Sequence, residues 1–224
     1  MSHQYDGISV VTTTYNEHEN IVKLIPLLHE VLKNISHEII VVDDSSLDGT
    51  FEAARELADL AIRKAREGQT VGLLFGMKHS RYPVVVTIDA DLENPPNIIP
   101  TIVEKALNGY DVIVASRTRL LRFSEKLSSI TLGRIIGIHD AFSNFRVYSK
   151  AVVDRLEIDC GETFGAELLV RAKIQGCRLG ELFYDPPPRR SSPRIGGKVR
   201  ANLRILNALL KSLLLYYVLR AKSL

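Results

Sequence analysis

Residues 83–91 read Pro-Val-Val-Val-Thr-Ile-Asp-Ala-Asp. An unbroken β-branched run from Val84 to Ile88 ends in two carboxylates, Asp89 and Asp91. Continuous rather than alternating apolar runs mark strands covered on both faces, as in a parallel sheet between helical layers. The same style recurs at residues 8–12 (ISVVT), 38–42 (EIIVV) and 111–115 (DVIVA). Between the first two, Ile21, Leu24, Ile25, Leu28, Val31 and Leu32 recur at three- and four-residue steps, which puts them on one helical face. Further helices are expected from Gly49-Thr50 to about Ala61, over 68–80, and from Pro95-Pro96 to Leu107. This alternation predicts an α/β fold: an open, doubly wound, mostly parallel sheet with helices on both faces. Asn16 with Glu19 reads as a capping box, and Pro26 should kink or restart the first helix.

The second half is less regular. Residues 120–134 show no clear period and read as a connection. Residues 162–175 read as a helix ending at Gly176, and 178–184 as an edge strand. Residues 186–197 hold four prolines and two glycines and can only be a loop. The expected organisation is a catalytic body over 1–185, a basic Pro/Gly-rich loop over 186–198 and an amphipathic helix over 199–224.

The chain has 224 residues, 46% hydrophobic and 25% charged, which suits one globular domain and excludes a disordered chain, a collagen or a polytopic membrane protein. Its net charge of +3 is unevenly placed. Residues 186–224 carry nine Lys/Arg and no acid, so the preceding residues hold the other 20 against all 26 Asp/Glu, a net of −6. Such a tail asks for an anionic partner: phosphate, lipid headgroup or nucleic acid. Cys160 and Cys177 lack metal-ligand spacing and read as packing thiols in a reducing, cytoplasmic setting. Residues 1–7 are polar and carry no signal-peptide pattern, so no secretion is expected.

In an open α/β sheet, ligands bind outside the carboxyl ends of the strands, so Asp89 and Asp91 face the crevice. Hard carboxylate oxygens suit Mg²⁺ or Mn²⁺ held jointly with substrate phosphates, with Glu93 as a third ligand. The alternative is that this pair merely ends a strand or caps the helix opened by Pro95. Asp43 and Asp44 end the preceding strand, where they could accept hydrogen bonds from a base or ribose. Asp48-Gly49 is turn chemistry, with Asp48 or Thr50 capping the helix that follows. His139-Asp140 reads as a turn histidine beside a helix-capping aspartate.

Three motifs, taken together, resemble a known family. Thr14-Tyr15-Asn16-Glu17 follows the first strand, Val42-Asp43-Asp44 with Ser46-x-Asp48-Gly49-Thr50 follows the second, and Asp89-Ala90-Asp91 precedes Pro95-Pro96. Their order and spacing over about residues 8–117 resemble the inverting GT-A glycosyltransferases of family 2. Within it, Ala115-Ser116-Arg117, residues 140–146 (DAFSNFR) and the basic loop ending Gly196-Gly197-Lys198 are most similar to the polyprenol-phosphate sugar transferases, typified by the dolichol-phosphate mannosyltransferases.

The resemblance implies a GT-A fold, a nucleotide-sugar donor and a polyprenyl (dolichyl) phosphate acceptor. It implies that Thr14, Tyr15, Glu17, Val42, Asp43, Asp44 and Ala90 hold the nucleotide-sugar, and that Asp89, Asp91 and Glu93 serve a divalent metal, Mg²⁺ or Mn²⁺. Arg117 and the basic-loop residues Arg190, Arg194 and Lys198 would contact phosphates of donor or acceptor. Asp89, Asp91, Arg117 and Asp140 form the implied catalytic set. GDP-mannose is the donor the resemblance favours, and UDP-glucose with a glycan or soluble acceptor is the alternative. Thr13 stands where the family has Pro, and Glu93 where it has Gln. Asn144 stands where the family has Gly and, as the residue most tolerant of positive φ after Gly, should preserve that turn.

On the last helix, Arg200, Arg204, Asn207 and Lys211 form one polar stripe and leucines fill the rest. The apolar run from Leu213 to Leu219, closed by Tyr216-Tyr217, is short of the ~20 residues that span a bilayer. It suits a helix lying in the interface of an anionic membrane, peripheral to its cytoplasmic face. The other covers for that face are the domain itself and a second copy in a homo-oligomer. No nucleic-acid partner is expected, because such a binder has no use for the carboxylate constellation.

Overall fold

The computed structural model describes residues 6–187 and 197–222, with side chains of the final helix described from Arg200. In chain order the elements are β1 (Ile8–Thr14), α1 (His18–Leu32), β2 (His37–Asp43), α2 (Thr50–Leu57), β3 (Leu60–Arg63), α3 (Gln69–Lys78) and β4 (Val84–Thr87). A 3₁₀ turn, Pro96–Ile98, opens α4 (Ile99–Leu107), followed by β5 (Val112–Arg117). Then come α5 (Phe123–Ser128), a π-helical segment (Ser129–Gly133), α6 (Arg134–Ile136), β6 (Arg146–Ser149), α7 (Lys150–Val153), α8 (Ala166–Ile174), β7 (Leu179–Tyr184) and α9 (Gly197–Lys222).

Seven strands form one sheet in the order β3-β2-β1-β4-β6-β5-β7. All pairings are parallel except those of β6, which runs antiparallel to both β4 and β5. The four apolar runs are the four central strands expected, and β7 is the expected edge strand. Successive residues of each run go to opposite cores: Val10, Ile39, Val41, Val86 and Ile113 join one cluster, and Val11, Ile40, Val42, Val85 and Val114 join the other. This is why the runs do not alternate in polarity: both faces of the sheet are dry. Helix α3 lies close on β1 and β2 through Gly76, where a Cβ would come within 2.5 Å of Val11 Cγ1.

Several expectations are corrected. The second helix stops at Leu57 instead of about Ala61, and residues 60–63 form edge strand β3, which is half-exposed and therefore lacks an apolar run. Strand β6 was not expected, because its first residue is a buried arginine. Helix α1 continues through Pro26, which is solvent-exposed, so the carbonyl deprived of its partner lies at the exposed Val22. Residues 120–134 are largely helical rather than an irregular connection; the π-helical turn inside them breaks the 3.6-residue period that would have revealed it.

Helix α9 is longer and more apolar than its leucine run suggested. Arg200–Lys222 is long and apolar enough to cross a membrane by length and composition, with a mean hydropathy of 1.2. One face nevertheless packs on the body through Ala201, Ile205, Ala208, Leu209, Ser212 and Tyr216, all buried. Lys211, expected on the polar stripe, turns inward and donates to the Cys160 carbonyl at 2.9 Å. Leu203, Leu210, Leu214, Tyr217 and Val218 remain at least half exposed. Cys160 and Cys177 are free thiols, as read.

Candidate active site

The strand order reverses direction between β1 and β4, and the loops leaving their carboxyl ends open a crevice there. The loop after β1 is stitched to the loop after β2. Asp44 N–H donates to Thr14 O at 2.9 Å, Asn16 N–H to Ser46 Oγ at 2.8 Å, and Glu17 N–H to Thr50 Oγ1 at 2.8 Å. The Asn16–Glu19 capping box does not form. Asn16 sits at φ 54° and its Oδ1 accepts from Leu47 N–H, while Glu17 occupies the cap position of α1. Asp48 makes the turn, as read, but the cap position of α2 is Gly49; Asp48 accepts from Thr50 N–H at 3.1 Å and from His18 N–H at 3.3 Å.

A cavity of about 810 Å³ fills this crevice. It gathers Thr14, Tyr15, Glu17, Asp44, Asp89, Ala90, Asp91, Glu93 and Arg117, nine of the residues expected at a site. Asp44 is held by Lys64 Nζ at 2.8 Å and by Gly68 N–H at 2.9 Å. The Arg66 guanidinium lies 3.5 Å from the centre of the Tyr15 ring.

Three expected residues stand outside the cavity. Val42 is core. Asp43 is fully buried and accepts from Thr14 Oγ1 and Ser46 N–H, with Arg63 Nε at 3.5 Å, so it braces the loops instead of facing a nucleotide. Asp140 caps no helix and does not face the cavity: both its oxygens are taken by Arg117. Arg190 and Arg194 lie outside the described residues, as does the side chain of Lys198. Asn144 lacks the positive φ expected of it and is instead buried, its Oδ1 without a hydrogen-bond partner.

Asp89 accepts from two neutral amides, Gln69 Nε2 to Oδ1 at 2.6 Å and Asn94 Nδ2 to Oδ2 at 3.3 Å. Tyr184 OH holds Asn94 in turn, at 2.7 Å. Burial, then the charge of Asp91, push the Asp89 carboxyl up to about 7, against the pull of Asn94, Arg117 and Arg146. Two crowded carboxylates are relieved by a cation, and their oxygens fit a hard divalent ion. Among the described residues no group of three or more His, Cys, Asp or Glu is gathered to hold a metal unaided. Asp89 and Asp91 thus fit an ion whose remaining positions come from substrate phosphates and water.

Arg117, at the end of β5, lines the same cavity. Its Nε and Nη2 donate to Asp140 at 2.7 and 3.1 Å, and its Nη1 lies 3.5 Å from Glu125 Oε1. Hydrogen bonds and charge from Asp140 raise its affinity for its proton against the opposing effect of burial. Arg119 and Arg122 line the same cavity, as do Leu121, Phe142, Phe164 and, from α9, Ile205. Gln69, Asn94, Arg119 and Arg122 were missed in the sequence. Only the arginines left a signal, as successors of Arg117 in the run RTRLLR over 117–122.

Comparison with known proteins agrees with this architecture. The model of "Glycosyl transferase family 2" matches residues 9–155. A dolichol-phosphate mannosyltransferase of Pyrococcus furiosus is 34% identical over 188 residues, 75% of this chain and 53% of that protein. An undecaprenyl-phosphate 4-deoxy-4-formamido-L-arabinose transferase of Pseudomonas paraeruginosa is 31% identical over 67% of this chain and 49% of its own length. The chain therefore spans about half the length of the curated relatives it matches. Among solved structures, glucosyl-3-phosphoglycerate synthase of Mycobacterium tuberculosis superposes with TM-score 0.75 at 20% identity, over 92% of this chain and 80% of that one. Mannosyl-3-phosphoglycerate synthase of Rubrobacter xylanophilus gives 0.73 at 15% identity, over 97% and 75%. These last two likenesses speak for the fold alone, whereas the family match covers most of the chain. The chain belongs to glycosyl transferase family 2.

Proposed function

We propose that the protein transfers a hexose, with inversion, from a nucleotide-sugar to a polyprenyl phosphate, with GDP-mannose the favoured donor and dolichyl phosphate the type of acceptor. One observation carries the reading: a single cavity gathers the acidic pair Asp89/Asp91 together with Arg117, Arg119 and Arg122 and the apolar Leu121, Phe142, Phe164 and Ile205. An anionic diphosphate with its cation suits the acidic pair, and a lipid phosphate suits the arginines and apolar side chains. The names of the curated relatives, a dolichol-phosphate mannosyltransferase and an undecaprenyl-phosphate sugar transferase, support this pairing. A manganese ion and uridine diphosphate accompany a structure of the mycobacterial synthase, which supports a divalent metal in this fold.

The bond that forms joins a phosphate oxygen of the acceptor to the anomeric carbon; the bond that breaks joins that carbon to the nucleoside diphosphate. A monoester phosphate is largely dianionic at neutral pH, so the nucleophile needs no base to strip a proton. Asp89 and Asp91 would hold Mg²⁺ or Mn²⁺, which supplies charge neutralisation for the departing diphosphate. Arg117, fixed by Asp140, orients the attacking phosphate, and Arg119 and Arg122 add charge beside it. Tyr15, Glu17 and Asp44 stand where the nucleoside would lie. Arg190, Arg194 and Lys198 remain candidates for donor phosphates, in a segment preceded by the cavity-lining Asp185, Pro186 and Pro187.

Helix α9 supports placement at an anionic membrane surface, on the cytoplasmic face where soluble nucleotide-sugars are available. Its exposed Leu203, Leu210, Leu214, Tyr217 and Val218, with Arg200, Arg204, Arg220 and Lys222, suit the lipid interface.

Incubation with radiolabelled GDP-mannose or UDP-glucose, polyprenyl phosphate and Mn²⁺ tests the reading. Label should move into the organic phase, and chelation should stop it. Label that passes only to a soluble acceptor, with either donor, would overturn the lipid acceptor.

A further inference from the structure

Glu162 stands well away in sequence from every motif described above, yet it governs the start of α3. Its Oε2 accepts from Gln69 N–H and, at 3.4 Å, from Thr70 N–H, while its Oε1 accepts from Thr70 Oγ1 and from Phe164 N–H, both at 2.6 Å. A carboxylate at this place satisfies helix amides that have no partner within the helix and faces the positive end of the helix dipole. The approach is close: at Gly68, with φ 98°, a Cβ would stand 2.4 Å from Glu162 Oε2. Thr70 Oγ1 also accepts from Thr163 N–H at 3.2 Å and Gly165 N–H at 3.0 Å. Lys211 anchors the same loop from α9 at the Cys160 carbonyl, 2.9 Å away. The first residue of α3 is thus held at its backbone amide by Glu162, whose loop is itself anchored by Thr70 and Lys211.

That residue is Gln69, and its side chain is the shorter of the two amide contacts to Asp89, 2.6 Å against 3.3 Å from Asn94. We propose that Gln69 is a positioning residue which fixes the Asp89 carboxylate for the cation and diphosphate, and that Glu162 sets Gln69 by capping the helix that carries it. The inference rests on the reading of Asp89/Asp91 as the cation pair. Like charges push Asp89 and Asp91 apart before any cation arrives. A neutral donor locked to a helix terminus holds Asp89 in place without adding a competing charge. Groups that orient ligating carboxylates affect metal affinity nearly as strongly as the ligands themselves.

Mn²⁺ binding by the full chain, followed through the electron paramagnetic resonance of the free ion with GDP or UDP present, tests this. Gln69→Met keeps the length and removes only the donor, so it should weaken Mn²⁺ binding about tenfold while the thermal midpoint of the metal-free protein stays put. Glu162→Gln should weaken it in the same direction by a smaller factor, because the amide oxygen still accepts. Wild-type protein that binds Mn²⁺, with Gln69→Met within about twofold of it, overturns the role of Gln69. An unchanged affinity in Glu162→Gln overturns the role of the cap. Wild-type protein that binds no Mn²⁺ with either nucleotide overturns the cation reading itself, a separate failure. Should Gln69→Met lower the metal-free midpoint, Gln69→Leu repeats the measurement with a branched apolar side chain.

Discussion

Arg117 and Asp140 meet as a two-point fork, Nε to Oδ2 at 2.7 Å and Nη2 to Oδ1 at 3.1 Å, and this contact turns a flexible cation into a fixed one. The Asp140 side chain is 2% exposed and that of Arg117 is 18% exposed, so the pair is largely withdrawn from water. Removing one partner of such a pair leaves the other buried and uncompensated. Asp140→Ala should cost about 3 kcal/mol, the low end for a buried pair, because Glu125 still faces Nη1. Asp140→Asn keeps the shape and one acceptor, and should lower kcat about 10–100-fold through misplacement of Arg117. Urea unfolding and initial rates separate the two effects. A kcat unchanged in Asp140→Asn would remove Arg117 from the reaction.

Asp89→Ala and Asp91→Ala should behave oppositely with and without ligand. Either change removes one of two crowded like charges, so the free protein should hold or gain thermal stability. Wild-type protein with a nucleotide-sugar and Mn²⁺ at about one hundred times Kd should gain about 2.7 kcal/mol, and chelation should abolish the gain. Neither variant should show it. A metal-dependent gain that survives in both variants would place the ion elsewhere.

How much of this was legible in the sequence follows from which residues carry their own signal. Strands β1, β2, β4 and β5 announced themselves because both faces are dry, which forces Val at three of the four positions of β4 and Val or Ile at most of β2. Edge strand β3 is half wet and β6 opens with Arg146, so neither leaves an apolar run. At the site, Asp89, Asp91, Asp44 and Arg117 sit at strand ends, where the fold itself predicts ligands. Asp43 was misread because the next residue along a strand end points the other way, into the loop bracket with Thr14 and Ser46. Gln69 and Glu162 were invisible, since their meaning lies in a contact across 93 positions of sequence.

The exposed face of α9 should bind lipid. Leu210 and Leu214 are 57% and 58% exposed, so a Leu210→Glu/Leu214→Glu double variant should change folding stability by little, within about 0.5 kcal/mol per site. It should nevertheless stop the protein floating with phosphatidylserine or phosphatidylglycerol vesicles. Wild-type binding should also weaken as salt rises, because Arg200, Arg204, Arg220 and Lys222 contribute by charge. Flotation that is unaffected by the double variant would mean that this face is not the one that meets the membrane.

Arg146 offers a test of the scaffold behind the acidic pair. It is 1% exposed and has no carboxylate within ion-pair distance among the described residues, yet its guanidinium is well used. It donates to the carbonyls of Ser143 at 2.6 Å, Gly165 at 2.7 Å and Ala141 at 3.0 Å, and to Tyr148 OH at 2.9 Å. These acceptors come from the 140–145 turn, from β6 and from the start of α8, so one side chain ties three parts of the chain together. Arg146→Met fills the volume but strands buried acceptors, each worth about 1–3 kcal/mol when left unpaired, and the loss should reach several kcal/mol. Arg146→Lys should rescue little of it, because a compact ammonium cannot span four acceptors arranged for a planar fork. Guanidinium unfolding of the two variants decides the point: a lysine variant as stable as wild type would mean that charge, not the shape of the guanidinium, holds this region.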